Sequence, residues 1–255
     1  LIVILGPTAS GKSTLAVEVA CDLKKHGVPA EIISADSRQV YTSLNIGTGK
    51  ISHKEMMGIP HHLLDVCSPF GRRVFTVAEF QRRAHAAIAA IFARGAIPIL
   101  CGGTGFYIQS IVDNNVFPEV PPNKTLRTKL EKQSTEKLFQ TLKKLDLKRA
   151  KNIDKNNQPR LIRAIEIAVA LGKVPTIKKE SSYDTLQIGI STDEKKLRAR
   201  IHERLIMRMK KGMVKEIQTL HTRGLSWGRM EALGLEYRYL ALFLQKKVSR
   251  ADMLN

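Results

Sequence analysis

The sequence lacks the features of a disulfide-rich, zinc-binding or membrane-spanning protein. It has only three cysteines, Cys21, Cys67 and Cys101, which are far apart and lie in apolar neighbourhoods. That spacing fits neither a metal site nor a disulfide framework, so we expect buried thiols in a reducing compartment. No apolar run approaches the roughly 20 residues that a membrane-spanning helix needs, and no secretory signal is recognisable. We therefore expect a cytoplasmic protein without a membrane partner.

Acidic residues are scarce relative to basic ones. The 255 residues include 42 Lys and Arg against 23 Asp and Glu, a net charge of +19. The excess is uneven, with +3 over residues 1–118 and +8 over each of 119–186 and 187–255. A basic surface gains counterion release for each phosphate it neutralises, which indicates a polyanionic partner such as nucleic acid. The alternative is that the basic residues lie on solvent-exposed helix faces and only keep the protein soluble.

A phosphate-binding loop follows the first apolar run, Leu1 to Leu5. The pattern G-x-x-x-x-G-K-[ST] is matched in full by Gly6, Pro7, Thr8, Ala9, Ser10, Gly11, Lys12 and Ser13, and a helical pattern follows at 14–26. Backbone N–H groups and the positive end of the helix dipole would converge on an oligophosphate. Lys12 would add a point charge, and the Ser13 hydroxyl would bind a Mg²⁺ that bridges the phosphates. The alternative is that residues 6–13 form an ordinary Gly- and Ser-rich turn that happens to contain a lysine.

The first half of the chain alternates strands and helices. Strands are predicted at Ala30 to Ser34 and at Ile97 to Cys101, and a capping box at 76–79 opens a helix that runs to Arg94. The pattern predicts an α/β fold, a parallel doubly wound sheet like that of phosphate-loop NTPases. Ligands of such sheets lie beyond the carboxyl ends of the strands, where the phosphate loop, Asp36 and Thr104 fall.

The pattern changes at the Pro-rich segment 117–122. Residues 119–184 are Lys-rich and helical in period, and strand character returns at 185–190. We therefore expect a core formed by 1–118 and 185–255, with a helical insertion at 119–184. One long helix is predicted from Asp193 to Arg223, and it carries Arg200, Arg204 and Arg208 as a basic stripe.

An ordered set of motifs resembles the bacterial tRNA dimethylallyltransferase family. Besides the phosphate loop, the set comprises segments 34–41, 46–48, 58–63, 77–81, 102–105, 159–164 and 200–204, which together span almost the whole chain. The resemblance implies a prenyltransferase. It would transfer a dimethylallyl group from dimethylallyl diphosphate to N6 of the adenine immediately 3′ of the anticodon, releasing diphosphate. We expect it to act as a monomer that uses Mg²⁺.

The chemistry of this transfer needs a base and an anion site. An exocyclic adenine amine is a poor nucleophile, so a carboxylate that accepts its proton would help, and Asp36 is the candidate base. Charge builds on the departing diphosphate, which Lys12 and Ser13 with Mg²⁺ would stabilise. The resemblance implies the same role for Thr104 and Arg204, which match the family's motif positions. Each residue has an alternative role. Asp36 could bind the metal, Thr104 could merely cap the helix that follows it, and Arg204 could be one more surface arginine on a basic helix.

Contacts to the tRNA anticodon stem-loop follow from the same motif positions. The resemblance assigns them to two groups, Asp36, Ser37, Arg38, Gln39 and Thr104 near the site, and Pro159, Arg160, Leu161, Ile162 and Arg163 in the insertion. The target base must leave its stack, so flanking donors have to hold the loop open. Arg160 and Arg163 would contact backbone phosphates. They could instead be ordinary exposed helix residues.

Three other functions are alternatives to a tRNA prenyltransferase. An ATP-dependent phosphate-loop kinase or an adenylate isopentenyltransferase acting on free nucleotides could use the same loop, but neither needs a basic insertion. A non-enzymatic RNA-binding module would leave the loop and Asp36 without a role. The chain departs from the family pattern at Leu235-Glu236, and it ends before the basic closing helix of relatives, which suggests a trimmed C-terminus.

Overall fold

The computed structural model describes residues 1–71, 74–175 and 182–254. It divides into two compact units, one formed by Leu1–Asn114 and Ser181–Asn255, the other by Asn115–Glu180. The elements of the first unit are β1 Ile2–Leu5, α1 Lys12–Lys25, β2 Ala30–Ser34, α2 His53–Met56, β3 His61–His62, α3 Val77–Ala93, β4 Ile97–Gly102, α4 Gly105–Val112, β5 Leu186–Gly189, α9 Glu194–Lys210, α10 Met213–Thr222, α11 Trp227–Glu231, α12 Leu235–Leu244 and α13 Arg250–Leu254. Those of the second are α5 Lys124–Leu130, α6 Thr135–Leu145, α7 Leu147–Lys151 and α8 Gln158–Leu171.

The first unit is built on a parallel five-stranded sheet. Its order is β3-β2-β4-β1-β5, with Ile2 paired to Ile99 on one side and to Leu186 on the other. Val3, Ile4 and Leu100 are fully buried, as expected for apolar strands covered on both faces. The predicted α/β fold is confirmed. Because all strands run the same way, the loops after β1, β2 and β4 meet at one edge.

Two hydrophobic cores cover the faces of this sheet. On one face α1 packs through Ala16, Val17 and Ala20 against strand residues such as Ile99. The core of the other face brings together buried residues of α3, α4, α10 and α12, such as Phe80, Ile111, Ile217 and Leu240. Helices on both faces make the sheet doubly wound. Among the described helices, none combines the length and the apolar character needed to cross a bilayer.

The predicted long helix from Asp193 to Arg223 is wrong, because the chain breaks between α9 and α10. Gly212 has a φ of 95°, in the left-handed region that glycine adopts at little steric cost. A glycine inside a helical pattern costs only about 1 kcal/mol, so periodicity alone did not indicate the break. The three cysteines are free thiols, but only Cys67 and Cys101 are buried, and Cys21 is half-buried.

The second unit has its own core and a buried ionic cluster. Leu138, Leu142 and Leu161 are fully buried at its centre. The Glu166 carboxylate, 2% exposed, accepts two hydrogen bonds from Arg127, each at 2.9 Å, and one from the Asn123 amide at 2.6 Å. Arg163 also donates to it. Burial alone would raise the pKa of Glu166, but these donors outweigh burial and lower it to about 2.

We expect Glu166→Gln to lower the free energy of unfolding by about 2–3 kcal/mol at pH 7, because charge-assisted hydrogen bonds would be lost. The folded-state pKa lies below the ordinary value of 4.5, so the carboxylate contributes stability above that value. This contribution is lost as the pH falls towards about 2. Urea unfolding at pH 7 and pH 3 measures both effects. A difference between the two proteins that is as large at pH 3 as at pH 7 would contradict this role of the charge.

Candidate active site

A cleft of about 180 Å³ opens at the carboxyl ends of β1, β2 and β4. It is mainly polar, and its charged members are Lys12, Asp36, Arg38, Arg204, Arg208 and Glu236. The wall also includes Ser13 of α1, the loop residues Gln39, Gly47, Thr48 and Gly49, and Tyr237 of α12. Four of the predicted catalytic or metal-binding residues, Lys12, Ser13, Asp36 and Arg204, therefore line one cleft. Such convergence of polar groups at a sheet edge is typical of ligand sites in this architecture.

The phosphate loop forms the turn from β1 into α1, as the sequence predicts. Gly11 has a φ of 93° at the first position before the helix, and the Lys12 ammonium donates to the Pro7 carbonyl at 3.0 Å. Burial lowers the pKa of Lys12 below its usual range, and the nearby Arg204 adds to this, while Cys101 and Asp36 oppose it. The amide donors of the first helical turn and this ammonium together form a site that can bind an anion.

Asp36 stands just beyond β2 in a fixed orientation. Its Oδ1 accepts the backbone N–H of Arg38 at 2.8 Å and that of Gln39 at 3.2 Å. Its Oδ2 accepts no hydrogen bond from any residue in the described part of the chain. The side chain is half-buried and lines the cleft. One oxygen thus holds the carboxylate in place, and the other is available to accept a proton or to bind a cation.

Thr104 does not cap the helix that it precedes. It occupies the position before α4, but its side chain makes no capping hydrogen bond. Instead its Oγ1 accepts the backbone N–H of Ser37 at 3.1 Å, and its hydroxyl lies 3.5 Å from the Ser37 Oγ. The alternative that Thr104 serves as a helix cap is therefore wrong. The hydroxyl ties the loop after β4 to the loop that carries Asp36.

The arginine stripe of α9 divides between the cleft and the surface. Arg204 and Arg208 are half-buried and line the cleft, whereas Arg200 is exposed. Burial, followed by the charge of Arg208, lowers the pKa of Arg204. Arg208 donates to the Gly47 carbonyl at 3.3 Å and to Glu236 at 3.2 Å. Arg204 is thus not an ordinary surface arginine.

A hydrogen-bond network behind the cleft residues Gly47 and Tyr237 was not predicted from the sequence. The Glu216 carboxylate accepts hydrogen bonds from three consecutive backbone amides, those of Asn45, Ile46 and Gly47. The Tyr237 hydroxyl donates to the same carboxylate at 2.7 Å. Burial and the charge of Glu216 raise the pKa of Tyr237 far above its ordinary value, so it stays a donor. No local pattern marks these partners, which lie about 170 residues apart along the chain.

The residues predicted to contact tRNA near the site lie around the same cleft. Arg38 and Gln39 line it, and Ser37 is half-buried beside Thr104. Arg38 is exposed and reaches the Ala232 carbonyl at 3.4 Å, which connects this loop to the turn before α12. These positions are compatible with contacts to a base entering the cleft, and the contacts themselves remain predictions.

The second group of predicted RNA contacts, in α8, is only partly exposed. Pro159 and Arg160 are exposed, but Leu161 and Ile162 are 0% and 7% exposed and pack into the core of the second unit. Side-chain contacts of Leu161 and Ile162 with RNA are therefore excluded by burial. Arg163 pairs with Glu166 and donates to the Val120 carbonyl at 2.9 Å. It is not an ordinary exposed residue, because its guanidinium, 36% exposed, takes part in the ionic cluster, and its contact with an RNA phosphate stays a prediction.

Comparison with known proteins agrees with this geometry. The IPP transferase family model matches residues 39–255. The chain is 45% identical to tRNA dimethylallyltransferase 2 of Citrifermentans bemidjiense, over all of this chain and 80% of that protein. It is similar to the crystal structure of the tRNA isopentenylpyrophosphate transferase of Bacillus halodurans, with 33% identity, a TM-score of 0.71, and coverage of 99% of this chain and 80% of the other.

A third similarity is to a eukaryotic dimethylallyltransferase acting on tRNA, with a TM-score of 0.78 and 25% identity, covering all of this chain and 65% of that one. The family match and the 45% identity extend over most or all of the chain. With the phosphate loop, Asp36 and Arg204 around one cleft, they lead to one conclusion. This chain belongs to the IPP transferase family.

Proposed function

We propose that this protein is a tRNA dimethylallyltransferase, which transfers the dimethylallyl group of dimethylallyl diphosphate to N6 of the adenine immediately 3′ of the anticodon. The observation that carries the proposal is the placement of Asp36 and a set of cations, Lys12 and Arg204, in one cleft. A group-transfer reaction of this kind needs a proton acceptor beside the nucleophile and positive charge beside the leaving group.

On the acceptor side, Asp36 takes up the proton of the amine. As the N6–C bond forms and the allylic C–O bond breaks, the nitrogen becomes positively charged and loses a proton to the free Oδ2. The two amide hydrogen bonds to Oδ1 keep the carboxylate from rotating away, so little reorganisation is needed during the reaction. The Thr104–Ser37 hydrogen bond holds the next residue of the same loop.

On the leaving-group side, the diphosphate gains negative charge as the C–O bond breaks. The amides at the start of α1, the Lys12 ammonium and the Arg204 guanidinium would stabilise that charge. Burial weakens the hydration of both cations, as their lowered pKa values indicate. A bound diphosphate would replace the lost hydration with direct ion pairs. The Lys12 ammonium is held before the substrate binds by its hydrogen bond to the Pro7 carbonyl.

The donor set of the cleft suits Mg²⁺. Within the described residues no cluster of three or more His, Cys, Asp or Glu side chains could hold a metal by itself. Mg²⁺ that bridges phosphates typically keeps several waters and takes only one or two protein oxygens, and the Ser13 hydroxyl can supply one. We propose that Ser13 holds it. When bound, the ion would neutralise charge on the diphosphate oxygens.

The acceptor is proposed to be tRNA because the second unit is strongly basic. Its exposed basic residues are Lys124, Lys129, Lys132, Lys137, Lys143, Lys144, Lys148, Lys151, Lys155, Arg160 and Lys173. Free adenine nucleotides would not need such a surface, whereas a stem-loop backbone would release counterions on it. A monomer in the cytoplasm, the expectation from the sequence, stays a prediction.

Radiolabelled dimethylallyl diphosphate tests the proposal directly. We expect label to pass to unmodified tRNA in the presence of Mg²⁺ and without ATP, because the phosphate loop holds the prenyl donor. Nuclease digestion should place the label on the adenosine 3′ of the anticodon. Transfer to AMP but not to tRNA would favour the adenylate isopentenyltransferase alternative. A strict requirement for ATP hydrolysis would favour a kinase.

Salt dependence tests the basic surface separately. Replacing the exposed Arg160 by Gln should make the log–log dependence of tRNA affinity on salt less steep by about one, as expected for one lost phosphate contact. Filter binding at several salt concentrations measures the slope. Arg198→Gln is a matched control, since Arg198 is 79% exposed on α9 and pairs with Glu194. An unchanged slope in the Arg160 variant would place the RNA path elsewhere.

A further inference from the structure

We propose that Glu216 is a positioning residue for the transfer reaction: it fixes segment 45–49, a wall of the cleft, and through that wall the loop that carries Asp36. The inference rests on the proposed function. Glu216 lies on α10, outside every motif that the sequence analysis identified, and it does not line the cleft itself. Its effect on the reaction must therefore pass through the residues that it holds.

The contacts of Glu216 saturate one carboxylate. Oε2 accepts the N–H groups of Asn45 at 3.0 Å and of Ile46 at 2.7 Å. Oε1 accepts the Gly47 N–H at 3.0 Å and the Tyr237 O–H at 2.7 Å. Three consecutive amides directed at one anion form a turn that has no other hydrogen-bonding partner for these donors in the described structure. Without the carboxylate, this turn loses the acceptor that defines its shape.

Tyr237 and Arg208 also contact this segment. A Cβ on Gly47 would lie 2.6 Å from the Tyr237 ring, so the absence of a side chain at Gly47 is what allows this close approach. The Arg208 guanidinium donates to the Gly47 carbonyl and would clash with a Cβ on Gly49. Gly47 thus contacts Glu216 through its amide, Arg208 through its carbonyl and the Tyr237 ring through its α-carbon. These three contacts restrict movement of the backbone in this part of the cleft wall.

The wall is connected to the proposed base. The Gln39 side-chain amide donates to the Gly49 carbonyl at 3.4 Å, and the Gln39 backbone N–H donates to Asp36 Oδ1 at 3.2 Å. A displacement of segment 45–49 would therefore remove the hydrogen bond that anchors the side chain of Gln39, the residue whose backbone N–H supplies one of the two hydrogen bonds that orient Asp36. Misplacing a catalytic group by about 1 Å can cost about 100-fold in rate. In the described part of the chain, no hydrogen bond links the phosphate loop to Glu216 or to segment 45–49.

Glu216→Gln separates this role from general stability. The variant is isosteric, but its NH₂ group must face an amide N–H or the Tyr237 O–H, so at least one donor loses its acceptor. We expect amide hydrogen exchange at 45–47 to speed up at least 10-fold. Single-turnover transfer should fall about 10- to 100-fold. Affinity for inorganic diphosphate should stay within twofold, because the phosphate loop is untouched.

Glu194→Gln is the matched control, since it makes the same chemical change at an exposed position of α9 where Glu194 pairs only with Arg198 among the described residues. It should change none of the three readouts. Thermal unfolding shows whether each variant is folded. If Glu216→Gln does not fold, Glu216→Asp, which withdraws the carboxylate by one methylene, is taken through the same measurements.

The outcomes distinguish this inference from the proposed function. Faster exchange with unchanged transfer would overturn the positioning role while leaving the transferase function intact. Equal losses of transfer and diphosphate affinity would also overturn it, because they would indicate a general disruption of the site. If the parent protein transfers no label to tRNA, the proposed function fails. Amide exchange at 45–47 still tests Glu216 independently, because unaltered exchange in Glu216→Gln would show that Glu216 does not fix this segment.

Discussion

Replacing Asp36 by Asn should lower the single-turnover rate of dimethylallyl transfer by about 100-fold to 10,000-fold, the range typical of a lost general base. This corresponds to roughly 3 to 5 kcal/mol of barrier. Asn keeps an oxygen that can accept the amides of Arg38 and Gln39, so the loop should retain its shape. It cannot take up the proton of the amine. Rapid quenching with saturating tRNA, labelled donor and Mg²⁺ measures the rate.

Asp22→Asn provides the matched control for this experiment, because Asp22 lies on α1 with its side chain 68% exposed. Its rate should equal that of the parent protein. A rate within a few-fold of the parent in the Asp36 variant would mean that Asp36 is not the base. Recovery of the rate at high Mg²⁺ would assign the carboxylate to the metal instead, the alternative that the sequence left open.

Replacing Lys12 by Met should weaken binding of inorganic diphosphate and lower kcat/KM for dimethylallyl diphosphate by about 100- to 1,000-fold, the usual cost of removing one preorganised electrostatic group. Met retains the length and apolar stem of Lys but carries no charge. Since burial lowers the pKa of Lys12, diphosphate affinity of the parent protein should also decline with rising pH earlier than an ordinary lysine would dictate. Calorimetric titration across the alkaline range measures both effects.

Lys24→Met, at an exposed position of the same helix, controls for the loss of one positive charge. Its diphosphate affinity should equal that of the parent. If Lys12→Met binds diphosphate normally and loses only transfer to tRNA, the phosphate loop is not where the donor binds. Loss of the pH dependence in the Lys12 variant would identify this lysine as the group that titrates.

The parts of the site that sequence predicted are those encoded by neighbouring residues. The phosphate loop follows from Gly11, Lys12 and the strand and helix on either side, and the position of Asp36 follows from its place at the end of a strand. The capping role of Thr76 is also a local property, because its side chain accepts the Glu79 amide three residues on. Such short-range patterns do not depend on how the remaining chain folds.

The parts that sequence missed depend on contacts between distant segments. Glu216 has no distinctive sequence context until the turn at 45–47 is placed against it, and the ion pair of Arg163 with the buried Glu166 is not visible in the sequence. Leu161 and Ile162 lie beside exposed positions of α8, yet they face the core. Tertiary packing decided each of these cases.

The order of the strands has a consequence for protein synthesis. Strands β1 to β4 are complete by residue 102. The strand β5, which pairs with the edge of β1 opposite β4, begins only at Leu186, after the whole second unit. At about 5–20 residues per second, a ribosome would need roughly 4–17 s to synthesise the residues between β4 and β5. During that time the nascent chain displays the unpaired backbone of a buried, apolar strand, which is a template for aggregation. Chaperone binding to ribosome-bound chains should therefore be strongest for chains in which β4 has emerged from the ribosome and β5 has not.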